Sequence, residues 1–131
     1  MVMPFVPQLE PIFRDHVQKV AAELGLKAAR GNDFFSRGSI IQDVWSGIYH
    51  AKVVVADCTK RNPNVFYEIG MAHTLGRDTI LISQSLKDIP FDLRHLRHII
   101  YEFTPEGLDL FDGMLRPTLN SIFPNRRNKS D

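Results

Sequence analysis

Two runs of this chain, Val53-Val54-Val55-Ala56 and Thr79-Ile80-Leu81-Ile82, are apolar without polar alternation and rich in β-branched residues. A strand covered on one face alternates, whereas one covered on both faces does not, and unbroken apolar runs of this kind belong to parallel sheets. Parallel neighbours need a crossover, and the segment between the runs supplies it. Asn62 offers a helix N-cap, Pro63 suits the first helical position, and the periodicity predicts a helix to about Leu75. Gly76-Arg77-Asp78 then turns the chain into residues 79–83, so that residues 52–83 read as one right-handed βαβ unit.

The flanking sequence repeats the theme. Ile12, Phe13, Val17, Val20, Ala21 and Leu24 recur at helical spacing from Leu9 to Leu24, and Gly25 is a natural stop. Leu26 to Arg30 reads as a short strand and residues 31–38 as a loop. Ser39 is placed to cap a helix reaching His50, with Ile40, Val44 and Ile48 in one stripe and Ile41 and Trp45 beside it. A helical turn at residues 91–96 leads into a strand at residues 98–101. Thr104 caps a closing helix holding Leu108, Phe111, Leu115, Leu119 and Ile122, which Pro117 is expected to kink. Met1 to Phe5 is the remaining segment for a first strand. The alternation implies an α/β fold with a doubly wound parallel sheet and helices on both faces.

Residues 1–124 are expected to form a single domain and residues 125–131, with Arg126-Arg127-Asn128-Lys129, a disordered basic tail. A net charge of +1 builds in no attraction to a nucleic-acid polymer or an anionic membrane. Cys58 is the only cysteine, so no intramolecular disulfide exists and a reducing, cytoplasmic setting is expected. No apolar stretch approaches the roughly 20 residues of a membrane span, and the opening residues lack the pattern of a signal peptide.

Open parallel sheets bind ligands beyond the carboxyl ends of their strands. The loops there carry no G-x-G-x-x-G, no G-x-x-x-x-G-K-[ST] and no G-x-S-x-G, which argues against a dinucleotide turn, a P-loop and a nucleophile elbow. The histidines are scattered singly, so no metal ligand set is read and no cofactor is expected. What converges on the ligand edge is Asp57, at the end of its strand, with Asn64 and Glu68, four residues apart on one helical face. Glu68 is a carboxylate among Phe66, Tyr67, Ile69 and Met71. An ionised, partly desolvated carboxylate beside a cleft suits the stabilisation or attack of a cationic sugar carbon. The bland alternatives are a salt bridge from Glu68 to Arg61 or Arg94, and a turn at Asp57 capped through the Thr59 or Lys60 amide.

The segments Met3-Pro4-Phe5, Gly38-Ser39-Ile40-Ile41-Gln42-Asp43-Val44-Trp45, Val53-Val54-Val55-Ala56-Asp57-Cys58-Thr59, Asn62-Pro63-Asn64-Val65-Phe66-Tyr67-Glu68-Ile69-Gly70-Met71-Ala72-His73 and Ile89-Pro90-Phe91-Asp92-Leu93-Arg94 resemble the nucleoside 2-deoxyribosyltransferase-like superfamily, in particular a bacterial branch bordering on TIR-like domains. The resemblance implies a flavodoxin-like fold with five parallel strands in the order 2-1-3-4-5. It also implies cleavage or transfer of the N-glycosidic bond of a nucleoside or nucleotide, with Glu68 acting at C1′ and Asp57 holding the sugar or organising the site. Met3, Pro4 and Phe5 resemble the loop that walls the pocket near the base, and Gly38 and Ser39 a small-residue turn at a helix N-terminus. The relatives place an aspartate where this chain has Asn62, an amide that orients a sugar hydroxyl without accepting its proton. Asn62, Asn64 and Arg94 are further candidate contacts. Arg94 reads equally as a phosphate clamp or a partner of Asp92, and Asp33 and Arg37 as ligand-facing or merely solvated. The expected partner is a small molecule, a nucleoside, nucleotide or NAD, with a homo-oligomer, dimer or higher, completing the pocket. The alternative functions are a TIR-like NAD hydrolase and a non-catalytic nucleotide-binding or signalling module.

Overall fold

A computed structural model describes residues 1–3, 7–30 and 40–123, with residues 40–44 described by backbone alone. The sheet is built from β1 (Val53–Asp57), β2 (Asp78–Ser83) and β3 (His98–Ile100), all parallel and in the order β1-β2-β3. Val55 lies opposite Ile80 and Ala56 opposite Leu81, while Ile82 lies opposite Ile99.

The unbroken apolar runs are explained by what covers them. Successive strand side chains point to opposite faces. Val55, Ile80, Ile82 and Ile99 enter one core layer with Phe13, Val17, Phe111, Leu115 and Leu119. Val54, Ala56 and Leu81 enter a second layer with Ile48, Val65, Ile69 and Ala72. The first layer is roofed by α1 (Gln18–Glu23), the π-wound segment Ile12–Val17 that runs into it, and α4 (Pro105–Ile122). The second is roofed by α2 (Ile40–His50) and α3 (Pro63–Thr74). Helices thus lie on both faces of the sheet.

The helix ends obey their local chemistry. Gly25 takes φ 73°, and the amides of Leu26 and Gly25 donate to the carbonyls of Ala21 and Ala22 at 2.8 and 3.0 Å. Gly76 repeats this Schellman ending on α3 with φ 69°, Arg77 N donating to Ala72 O and Gly76 N to His73 O. Thr104 Oγ1 accepts from Gly107 N at 2.9 Å to start α4, and Pro117 lies inside that helix.

One expectation is corrected and another is seen only in part. The expected second strand, residues 26–30, is not a strand, and the first is reduced to a single parallel bridge from Val2 to Ala56, with Pro4 and Phe5 outside the described residues. A strand is defined by a repeating ladder. Val2 N donates to Val55 O, Asp57 N to Val2 O and the Met1 amino end to Ala29 O, and residues 26–30 carry no strand ladder. The described sheet therefore has three strands, in the relative order expected for the last three of five, with Val2 on the outer side of β1. The 125–131 tail lies outside the described residues.

Candidate active site

The carboxyl end of β1 and the start of α3 are joined by the 3₁₀ turn Thr59–Arg61. Lys60 and Arg61 both adopt left-handed backbone, with φ 63° and 56°, where a side chain costs roughly 1–2 kcal/mol per residue. The turn is tied down from outside: Lys60 N donates to Asp88 Oδ2 at 2.8 Å, and the Arg61 guanidinium donates to the carbonyl of Lys87. Asn62 follows as the N-cap of α3, its Oδ1 accepting from Asn64 N at 2.9 Å. The amide oxygen of Asn62 is thus committed to the helix, as its position before Pro63 suggests.

Glu68 projects from α3 on a half-buried face, between buried Val65, Ile69 and Ala72 and exposed Tyr67. Among the described residues it forms no hydrogen bond and no ion pair. Arg61 is engaged at Lys87 and Asp88, and Arg94 donates to the carbonyls of Ile89 and Leu86, so neither guanidinium neutralises it. Burial pushes its carboxyl up to about 7, against a smaller downward pull from the positive amino end of Met1. The helix dipole fades beyond the first turn and does not offset this desolvation.

Asp57 lies at the same edge but is 0% exposed. Its Oδ1 accepts from Thr59 N at 3.0 Å and from Thr59 Oγ1 at 2.6 Å, and its Oδ2 accepts from Tyr101 Oη at 2.9 Å. Burial raises its carboxyl above the usual range, with these hydrogen bonds pulling the other way. The Asx turn through Thr59 is the bland alternative read from the sequence. Tyr101, arriving from beyond β3, had no signal in the sequence, since a tyrosine closing a strand reads as core.

The other expected site residues divide. Met3 is 5% exposed and packs in the first core layer. Asn64 is exposed. Arg94 neither pairs with Asp92 nor stands free, because its two carbonyl bonds brace the Leu86–Asp88 and Phe91–Leu93 turns. Pro4, Phe5, Asp33, Gly38 and Ser39 lie outside the described residues. Trp45 and Tyr67 are 54% and 59% exposed. Cys58 is wholly buried beneath the turn, its thiol pushed up to about 12 by burial and by Asp57. A cavity of about 530 Å³ lies away from this edge, between Val17, Ala21, Ile48, Val53 and Leu119, and Glu68 does not line it. No helix among the described residues is long and apolar enough to cross a membrane.

α3 thus carries a half-buried carboxylate that titrates near neutrality and has no hydrogen bond or ion pair among the described residues, while the carboxyl end of β1 is tied by buried hydrogen bonds. No protein-family model matches the chain, and no curated protein matches it. Among solved structures it is similar to the Clostridium botulinum CMP N-glycosidase BcmB, with a TM-score of 0.63 and 21% identity over 85% of this chain and 96% of that one. At that identity the likeness establishes a common fold.

Proposed function

We propose that the protein belongs with the nucleoside 2-deoxyribosyltransferase-like enzymes and breaks the N-glycosidic bond of a nucleotide or nucleoside, with Glu68 acting at C1′. The observation that carries this reading is the half-buried Glu68 carboxylate on α3, which has no hydrogen bond or ion pair among the described residues. The fold shared with a CMP N-glycosidase supports it and makes a pyrimidine 5′-monophosphate the first substrate to try.

In this mechanism the C1′–N bond breaks, the bonding electrons leave with the base, and positive charge grows on the sugar. The ionised Glu68 stabilises that charge or closes on C1′ as a nucleophile, and water or a second base completes hydrolysis or transfer. A departing pyrimidine or purine takes a proton, for which Asp33 is the proposed acid, whereas nicotinamide leaves from a cation and needs none. Asp33→Asn therefore abolishes nucleobase release and spares any NAD cleavage. The pocket is completed by a second copy of the chain, an arrangement checked by light scattering.

The direct test incubates purified protein with deoxynucleosides, 5′-monophosphates including CMP, and NAD, and measures released base or nicotinamide by chromatography. Release from at least one nucleotide, abolished in Glu68→Gln, is expected. Absence of turnover on the whole panel overturns the proposal. Because Glu68 works ionised and its carboxyl titrates at about 7, kcat/KM for any NAD cleavage, which needs no acid, climbs as pH rises through that value and levels off above it, and that for nucleobase release falls again where Asp33 loses its proton.

A further inference from the structure

We propose that Tyr101 and Gln84 are positioning residues for Glu68, acting with Asp57 and Thr59 as a closed ring of hydrogen bonds that locks the carboxyl ends of the strands to the start of α3. The proposal deepens the functional reading above and rests on it for its catalytic consequence.

The ring can be followed atom by atom. Tyr101 Oη donates to Asp57 Oδ2 at 2.9 Å, and Thr59 Oγ1 donates to Asp57 Oδ1 at 2.6 Å. Gln84 closes it, its backbone N donating to Thr59 Oγ1 at 3.1 Å and its Nε2 to Tyr101 Oη at 3.4 Å. Each hydroxyl thus gives one hydrogen bond and receives one, the arrangement in which neighbouring bonds polarise and strengthen each other. Asp57, Tyr101 and Thr59 are 0%, 2% and 5% exposed, so no ring member but Gln84 has surface to offer a ligand.

An Asx turn needs only Asp57 and Thr59. Tyr101 and Gln84 come from beyond β3 and β2, so the turn that starts at Thr59 is referenced to all three strands. That turn holds two side chains in left-handed backbone and ends at the Asn62 cap. A strained turn keeps its shape only where its surroundings over-determine it, and the ring supplies that constraint on the inner side as Asp88 does on the outer. The exit direction of α3, and with it the position of Glu68, is set by this ring. Asp57 is accordingly a positioning residue too, and what the ring needs from it is two acceptor oxygens.

Four variants test this by two readouts, turnover and the exchange rate of the Asn64 amide that bonds the Asn62 cap. Asp57→Asn, which keeps an acceptor oxygen for Thr59 but turns an amide NH2 toward the Tyr101 hydroxyl, is expected to lower kcat about tenfold at nearly constant KM, as are Tyr101→Phe and Thr59→Val. All three speed exchange of the Asn64 amide, and Thr59→Ser keeps both readouts at the wild-type level. If Thr59→Val does not fold, Tyr101→Phe and Thr59→Ser carry the comparison. Asp57→Asn as inactive as Glu68→Gln, with Asn64 exchange unchanged, overturns the proposal, because Asp57 would then act on the substrate itself. If the wild type turns over nothing, the functional reading fails alone. The amide exchange still decides the ring, and unchanged exchange in Tyr101→Phe and Thr59→Val overturns it.

Discussion

Glu68 titrates at an ordinary 4.5 in an exposed setting and at about 7 in the fold. Between those values the folded chain keeps a proton that the unfolded chain has released, so stability falls as pH rises through that window and is level above it. Glu68→Gln removes the dependence. The variant is expected to melt with the wild type near about pH 4 and to be more stable by about 1–2 kcal/mol near about pH 8, a figure reduced for the solvent that reaches a half-buried side chain. Thermal unfolding across that range checks it, and equal stability of the two proteins at both ends contradicts the assignment. A gain in stability on removing a functional group is the usual signature of a site held for chemistry. At this scale Glu68 was legible in the sequence because a carboxylate inside an apolar helical run has few reasons to be there. Asp57 was legible as a position but not as a role: its burial depends on Tyr101, which is 44 residues away in the chain. The left-handed pair Lys60 and Arg61 was invisible, since no glycine marks that turn.

Among the elements, α4 provides a paired test of how local space governs substitution. A Cβ added at Gly107 meets the carbonyl oxygen of Glu102, which belongs to backbone and cannot swing aside, whereas a Cβ at Gly113 meets nothing within 4 Å. Gly107→Ala is expected to lower stability by about 1–3 kcal/mol and Gly113→Ala to raise it by about 0.5–1 kcal/mol, read from denaturant midpoints. The reverse order of midpoints contradicts the placement of the Thr104 cap over Glu102. The helix starts and stops were the most legible elements, because Asn62, Thr104, Gly25 and Gly76 each satisfy orphan backbone groups by local chemistry. Residues 26–30 were misread as a strand because the apolar, small character of Leu26, Ala28 and Ala29 fits a strand whether or not a ladder forms beside it. Strand identity is a property of the pair, and a single sequence shows only one partner.

For the whole molecule, the two core layers share the same strands, Val54 and Val55 facing opposite ways from one backbone. Neither layer keeps its floor if the other loses its own, so the described fold is expected to unfold in one transition by near- and far-ultraviolet circular dichroism. Val17→Ala in one layer and Val65→Ala in the other each lower that single midpoint, by about 1–3 kcal/mol, without splitting it. Two separated transitions would show that the layers are independent. The sealed thiol of Cys58 gives this cooperativity a clock. As the chain's sole thiol, and wholly buried, it meets an alkylating reagent only when the end of β1 opens, so the labelling rate counts those openings in a protein that is otherwise native. If the proposed nucleotide binds at Glu68 and steadies the end of β1, labelling of Cys58 slows in its presence, a readout of occupancy with no need for turnover.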